Sequence, residues 1–147
     1  MAMATRVASV SWKGDLTGSG ELSLESSGVL KATPVTWASR AEASDGRTSP
    51  EELLAAAHSA CYAMAFSNIL AKEGGVIAEQ LDVRAECDLD RVDDGLKVTT
   101  MRLTVRGRVP GIDDAGFVKL ATQAKEGCPI SGALMGNVQI ELDASLS

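Results

Sequence analysis

The segment that most restricts the fold of this chain is Ser49-Pro50-Glu51-Glu52 and the apolar run behind it, which stops at Gly74-Gly75. A serine ahead of a proline sets an N-cap hydroxyl beside a residue with no amide proton to satisfy, and Glu52 stands where a capping box closes. A helix is therefore predicted from Pro50 to about Glu73. Its body, Leu53 to Phe66, is apolar or small nearly all round, the pattern of a helix buried on more than one side. A monomer of 147 residues can barely surround such a helix, so a second subunit is expected.

Before this helix the chain reads as short strands. Arg6 to Trp12 and Glu21 to Glu25 alternate in polarity, Gly18 and Gly20 punctuate them, and Gly28 turns the chain toward Val29 to Val35, giving an antiparallel meander. Ala38 to Ser49 is polar and reads as a loop. After the helix, Leu81 to Leu89 and Met101 to Val105 alternate around Asp93-Asp94-Gly95, which makes a long hairpin with one wet face. Asp113 to Glu126 carries Phe117, Leu120, Ala121 and Ala124 on one stripe, a second helix with Gly127 as its stop, and Val138 to Leu142 alternates as a last strand. The order is that of an α+β protein in a single domain, residues 1–147, with antiparallel sheets.

Charge excludes several functions. The net charge is −6 and the basic residues are scattered, whereas phosphate backbones and anionic membranes require clustered cations. Nucleic acid and membrane surfaces are thus not expected partners. The start has no apolar run behind a positive segment, and nowhere do about 18 apolar residues occur in succession, so a soluble cytoplasmic protein is expected. Three cysteines and one histidine make neither a secreted disulfide framework nor a zinc ligand set.

The residues able to carry chemistry each have an ordinary reading too. Cys61 lies inside the apolar helix, where a thiol is usually inert packing. Cys128 sits at a helix-to-turn junction in Gly127-Cys128-Pro129, where exposure is more common, and Cys87 points with the apolar side of its strand and reads as core. A second thiol returning to Cys61 through the fold would permit a reversible disulfide. Arg40 and Glu51 read on pattern alone as a solvated cation and a first-turn acid favoured by the helix dipole. His58, three positions before Cys61, reads as a hydrogen-bonded core residue. A Cys-His acyl-transfer pair is the weaker alternative, because no Asp or Asn is placed to orient the ring.

Taken together, Ser49-Pro50-Glu51-Glu52-Leu53-Leu54-Ala55-Ala56-Ala57-His58-Ser59-Ala60-Cys61 and Gly127-Cys128-Pro129-Ile130-Ser131 closely resemble the OsmC/Ohr family of organic hydroperoxide resistance proteins. Ser11-Trp12-Lys13-Gly14-Asp15 and Val109-Pro110-Gly111-Ile112-Asp113 extend the resemblance over almost the whole chain. His58 and the Cys-Pro-Ile-Ser form look more like the osmotically inducible OsmC branch. The resemblance implies a thiol-dependent peroxidase with no metal or bound cofactor. Cys61 matches the peroxidatic thiol, Cys128 the resolving thiol, Glu51 the helix-start acid and Arg40 the loop arginine, with Arg47 as the competing arginine. It also implies an intertwined homodimer around two long central helices, an organic hydroperoxide substrate, and a dithiol reductant, for the Ohr branch typically a lipoylated protein.

The implied chemistry suits these residue types. An arginine near the attacking sulfur favours its thiolate and hydrogen-bonds the peroxide, a glutamate fixes the guanidinium, and a second thiol traps the sulfenic acid. Leu54, Ala57, Met64 and Ala65 predict an apolar wall beside Cys61. The rival reading is a non-catalytic protein of the same fold, an oxidant sensor or an apolar-ligand binder.

Overall fold

A computed structural model describes residues 1–147. Its elements follow in the order β1 (Ala8–Lys13), β2 (Ser19–Leu24), β3 (Thr33–Val35), α1 (Trp37–Ala41), α2 (Pro50–Lys72), β4 (Gln80–Val92), β5 (Gly95–Arg108), α3 (Asp114–Gly127), α4 (Pro129–Leu134) and β6 (Gln139–Leu146). The chain divides into two compact units, Met1–Leu53 and Leu54–Ser147.

The first unit is the expected meander, β1-β2-β3, antiparallel throughout. Trp12 pairs with Gly20, and a Cβ at Gly20 would stand 2.6 Å from the indole, so only glycine lets the ring lie across the strand. The polar stretch after β3 is not all loop. Thr36 accepts from the Ser39 amide at 3.1 Å while Ser39 Oγ accepts from the Thr36 amide at 3.1 Å, a closed capping box that starts α1 and sets Arg40 in its last turn. At the start of α2, Ser49 Oγ accepts from the Glu52 amide at 3.1 Å as expected. The other half of that box differs, because the Glu52 carboxylate accepts from the Thr48 hydroxyl at 2.8 Å instead.

In the second unit, β4 and β5 form the long hairpin, closed at Val92↔Gly95 with Asp93 at φ +47° in the turn. β6 joins β5 in parallel, since α3 and α4 carry the chain back to the starting edge before it enters the sheet. Both sheets are otherwise antiparallel. His58, Tyr62, Phe66 and Leu70 form a fully buried stripe on α2, one every four residues. The stripe meets Leu103, Val105, Phe117, Ala121 and Ala124 in the core, where Phe66 and Phe117 make an edge-on contact at 5.0 Å. Gly107 is required here, because a Cβ would come within 2.5 Å of the Phe117 ring.

Length and composition alone would let α2 cross a membrane. The buried stripe and the Tyr62 hydroxyl, donating to the Ala121 carbonyl at 2.9 Å, are the contacts of a core helix. Its remaining apolar surface is open in the single chain, with Met64 72% exposed, so burial on more than one side is not met by one copy.

Candidate active site

Cys61 stands mid-way along α2. Cys128 stands where α3 ends and α4 begins, its amide bonded to the Ala124 carbonyl at 3.0 Å and its own carbonyl accepting from the Gly132 amide at 3.0 Å. The following proline disfavours helical backbone at this residue; Cys128 is extended and two helix ends meet there. The sequence places Gly127 as the stop of α3; it is instead the last helical residue, and Cys128 is the cap. Folding brings the two sulfurs to 2.9 Å, hydrogen-bond distance, from positions 67 residues apart.

The two thiols are unlike. Cys128 is 1% exposed, whereas Cys61 is half-buried and lines a cavity of about 370 Å³ with Met64, Ala65, Asn68, Ile69, Gly127 and Pro129. Met64 and Ala65 belong to the expected apolar wall; Leu54 and Ala57 do not line this cavity. Burial pushes the Cys61 thiol above its ordinary pKa, and hydrogen bonding to Cys128 adds to this. Burial opposes ionisation of Cys128 as well, yet the Cys61 thiol and donors from Ser131 and Ile130 bring it below its ordinary value. Within this unit the negative charge therefore favours Cys128.

His58 is a satisfied core residue at one ring nitrogen, with Nε2 at 2.8 Å from Ser131 Oγ. In the sequence Ser131 stands out only as part of Gly127-Cys128-Pro129-Ile130-Ser131; its contact to His58 spans 73 residues and has no local signal. Cys87 is half-buried on β4, opposite Met101.

In the first unit, Arg40 grips Glu51. Nη2 donates to Oε1 at 2.8 Å, and Nε donates to Oε1 at 3.0 Å and Oε2 at 3.2 Å. The two Arg residues of the loop are thereby separated: Arg47 is half-buried and pairs with Asp45 at 3.2 Å. Arg40 also lines a cavity of about 270 Å³ with Trp12, Leu16, Val35, Trp37 and Pro50, an apolar surround that only the tryptophans foreshadow. No three His, Cys, Asp or Glu side chains converge as metal ligands.

Residues 43–143 match the family described as OsmC-like protein. The chain belongs to the OsmC/Ohr family. Its relatives include the Escherichia coli (strain K12) protein named Peroxiredoxin OsmC, 40% identical over 131 residues, which are 88% of this chain and 90% of that one. An organic hydroperoxide resistance protein of Xanthomonas axonopodis pv. citri is 27% identical over 65% of each chain. Among solved OsmC/Ohr structures, OhrB of Bacillus subtilis superposes with a TM-score of 0.73 at 27% identity over 95% of this chain and 98% of that one. A Legionella pneumophila organic hydroperoxide resistance protein OsmC gives 0.74 at 25% identity over 99% of both.

Proposed function

We propose that this chain is a thiol-dependent peroxidase that reduces organic hydroperoxides to alcohols. The observation that carries the proposal is the 2.9 Å separation of Cys61 and Cys128, with one sulfur open to a cavity and the other covered. Two further supports are relatives named for peroxiredoxin activity and for organic hydroperoxide resistance.

The Cys61 thiolate attacks one peroxide oxygen, the O–O bond breaks, and the alkoxide takes a proton to leave as alcohol. Cys61 is now a sulfenic acid. Cys128 attacks its sulfur, expelling hydroxide that is protonated to water, and the disulfide forms after a further approach of roughly 0.9 Å. A dithiol then returns both cysteines to thiols and is itself oxidised. Since Cys61 is raised by burial and the charge favours Cys128, the attacking thiolate requires a cation, and the Arg40–Glu51 clamp is the group of that kind.

We further propose that the clamp acts across a homodimer. Glu51 and Cys61 are ten residues apart on an uninterrupted helix, about 15 Å along its axis, too far for a glutamate on the same helix. The open apolar face of α2 is the surface a second copy covers, and the chain acts as one domain in the cytoplasm.

Peroxide consumption driven by a dithiol tests the reading. Turnover of an alkyl hydroperoxide that Cys61→Ser abolishes is expected. A protein that is oxidised once and never turns over is the sensor or binder.

A further inference from the structure

α4 is six residues long, too short to hold helical form unaided, and Ser131 is its one fully buried residue. Its hydroxyl stands 2.8 Å from Nε2 of His58, itself fully buried on α2. Nδ1 of that ring has no partner, so the bond to Ser131 is the one hydrogen bond of the imidazole. A hydroxyl both donates and accepts, hence the bond forms with either tautomer of the neutral ring. His58 precedes Cys61 by three residues on α2, and Cys128 precedes Ser131 by three at the start of α4, about one helical turn in each case. With His58 against Ser131 at 2.8 Å and Cys61 against Cys128 at 2.9 Å, the two turns run in opposite chain directions and touch at two points. Cys128 makes no side-chain bond to its own helix, so its sulfur is placed by the turn it belongs to. That turn is closed by the Cys128 carbonyl accepting from the Gly132 amide at 3.0 Å and the Ser131 carbonyl accepting from the Met135 amide at 2.8 Å. A turn held at one point can pivot, whereas one held at two keeps its register.

We infer that His58 and Ser131 are positioning residues: their buried bond locks α4 in register on α2, keeps Cys128 against Cys61, and thereby sets whether oxidised Cys61 is resolved or over-oxidised. The inference rests on the proposed redox pairing of the two cysteines. A sulfenic acid at Cys61 has two fates. Attack by the Cys128 sulfur forms the S–S bond, breaks the S–O bond and releases hydroxide, which is protonated to water. A second hydroperoxide instead transfers one oxygen atom to the sulfenic sulfur, leaving a sulfinic acid and an alcohol. The first fate depends on how much of the time Cys128 is within reach, and the second does not. Neither His58 nor Ser131 lines the cavity beside Cys61, so the lock acts through Cys128 rather than on the peroxide.

Two measurements decide this, both in a Cys87→Ser background that leaves one pair of thiols. The first uses no peroxide: the protein is equilibrated with reduced and oxidised glutathione, and the disulfide fraction gives the effective concentration of one thiol toward the other. Ser131→Ala and His58→Leu should each lower it roughly fivefold, the loss of one hydrogen bond. The double variant should lower it no further, because both changes remove the same bond, and His58→Gln, which keeps a donor, should restore most of it. In the second, mass spectrometry after graded additions of an alkyl hydroperoxide should find a higher ratio of sulfinic acid to disulfide at Cys61 in Ser131→Ala and His58→Leu than in the parent. Side chains that only fill the core would lower stability in urea and leave both readings at the parent values, which overturns the inference, as do losses that simply add. If the His58 variants do not fold, Ser131→Ala decides alone, and an unchanged effective concentration refutes the lock. Failure of the peroxidase reading shows separately, as no oxidation of Cys61 in the second measurement, while the first still tests the register of α4.

Discussion

Breaking the Arg40–Glu51 clamp should cost different amounts depending on which partner is removed. The Glu51 side chain is 9% exposed and that of Arg40 33%. Arg40→Met strands a carboxylate in an almost dry place after the loss of N–H···O contacts at 2.8, 3.0 and 3.2 Å. Orphaning a buried charge costs ~3–5 kcal/mol, and the partial exposure of the pair moves the expectation to about 3 kcal/mol. Glu51→Gln keeps the shape and leaves the more exposed partner, which can turn to water; its loss should be nearer that of a charge-assisted hydrogen bond, about 1.5 kcal/mol. The double variant removes both charges and should be less destabilised than the sum, by about 1–2 kcal/mol. Urea unfolding of the parent and the three variants, at one protein concentration so that any subunit association is held constant, measures all four terms. If glutamine at 51 is as costly as methionine at 40, or if the two losses simply add, carboxylate burial does not govern this clamp.

Three further outcomes are expected. The cavity beside Cys61, bounded by Met64, Ala65 and Ile69, should reward alkyl chains: kcat/KM should rise with each methylene by at most about fourfold, from ~0.8 kcal/mol per group, and exceed that for hydrogen peroxide. A flat series argues against an apolar wall. Arg40→Gln should shift peroxide consumption to higher pH, because burial already raises the Cys61 pKa and the cation proposed to favour its thiolate is gone; an unshifted profile removes Arg40 from the site. Mixing inactive Cys61→Ser and Glu51→Ala subunits should restore activity, since one site of the mixed dimer is then intact, whereas silence in a verified heterodimer returns the acid to its own chain.

Local signals account for the elements that the sequence displays. Ser49-Pro50 and Gly74-Gly75 bracket α2 because capping is chemistry among neighbours, and the alternation around Asp93-Asp94-Gly95 places the hairpin for the same reason. α1 escapes notice because its capping box is closed by the Ser39 hydroxyl rather than by a carboxylate, and five residues show no period. α4 is hidden behind Pro129, which marks a stop as readily as a start. The alternation of β6 gives its faces but not its direction, which depends on where α3 and α4 return the chain. At the site, Cys61 and Cys128 are separately visible as thiols, but their meeting, like that of His58 and Ser131, is long-range packing that no local pattern contains. Arg40 is distinguished from Arg47 by its carboxylate partner, Glu51 rather than Asp45, which the sequence does not show.

The central claim is that Cys61 and Cys128 form one redox pair. Mass spectrometry of the protein after a single equivalent of an alkyl hydroperoxide, with thiols trapped at once, measures this directly. A Cys61–Cys128 disulfide within one chain, with Cys87 still reduced, is the expected result. A bridge containing Cys87, or Cys61 converted to higher oxides while Cys128 remains a thiol, would contradict it.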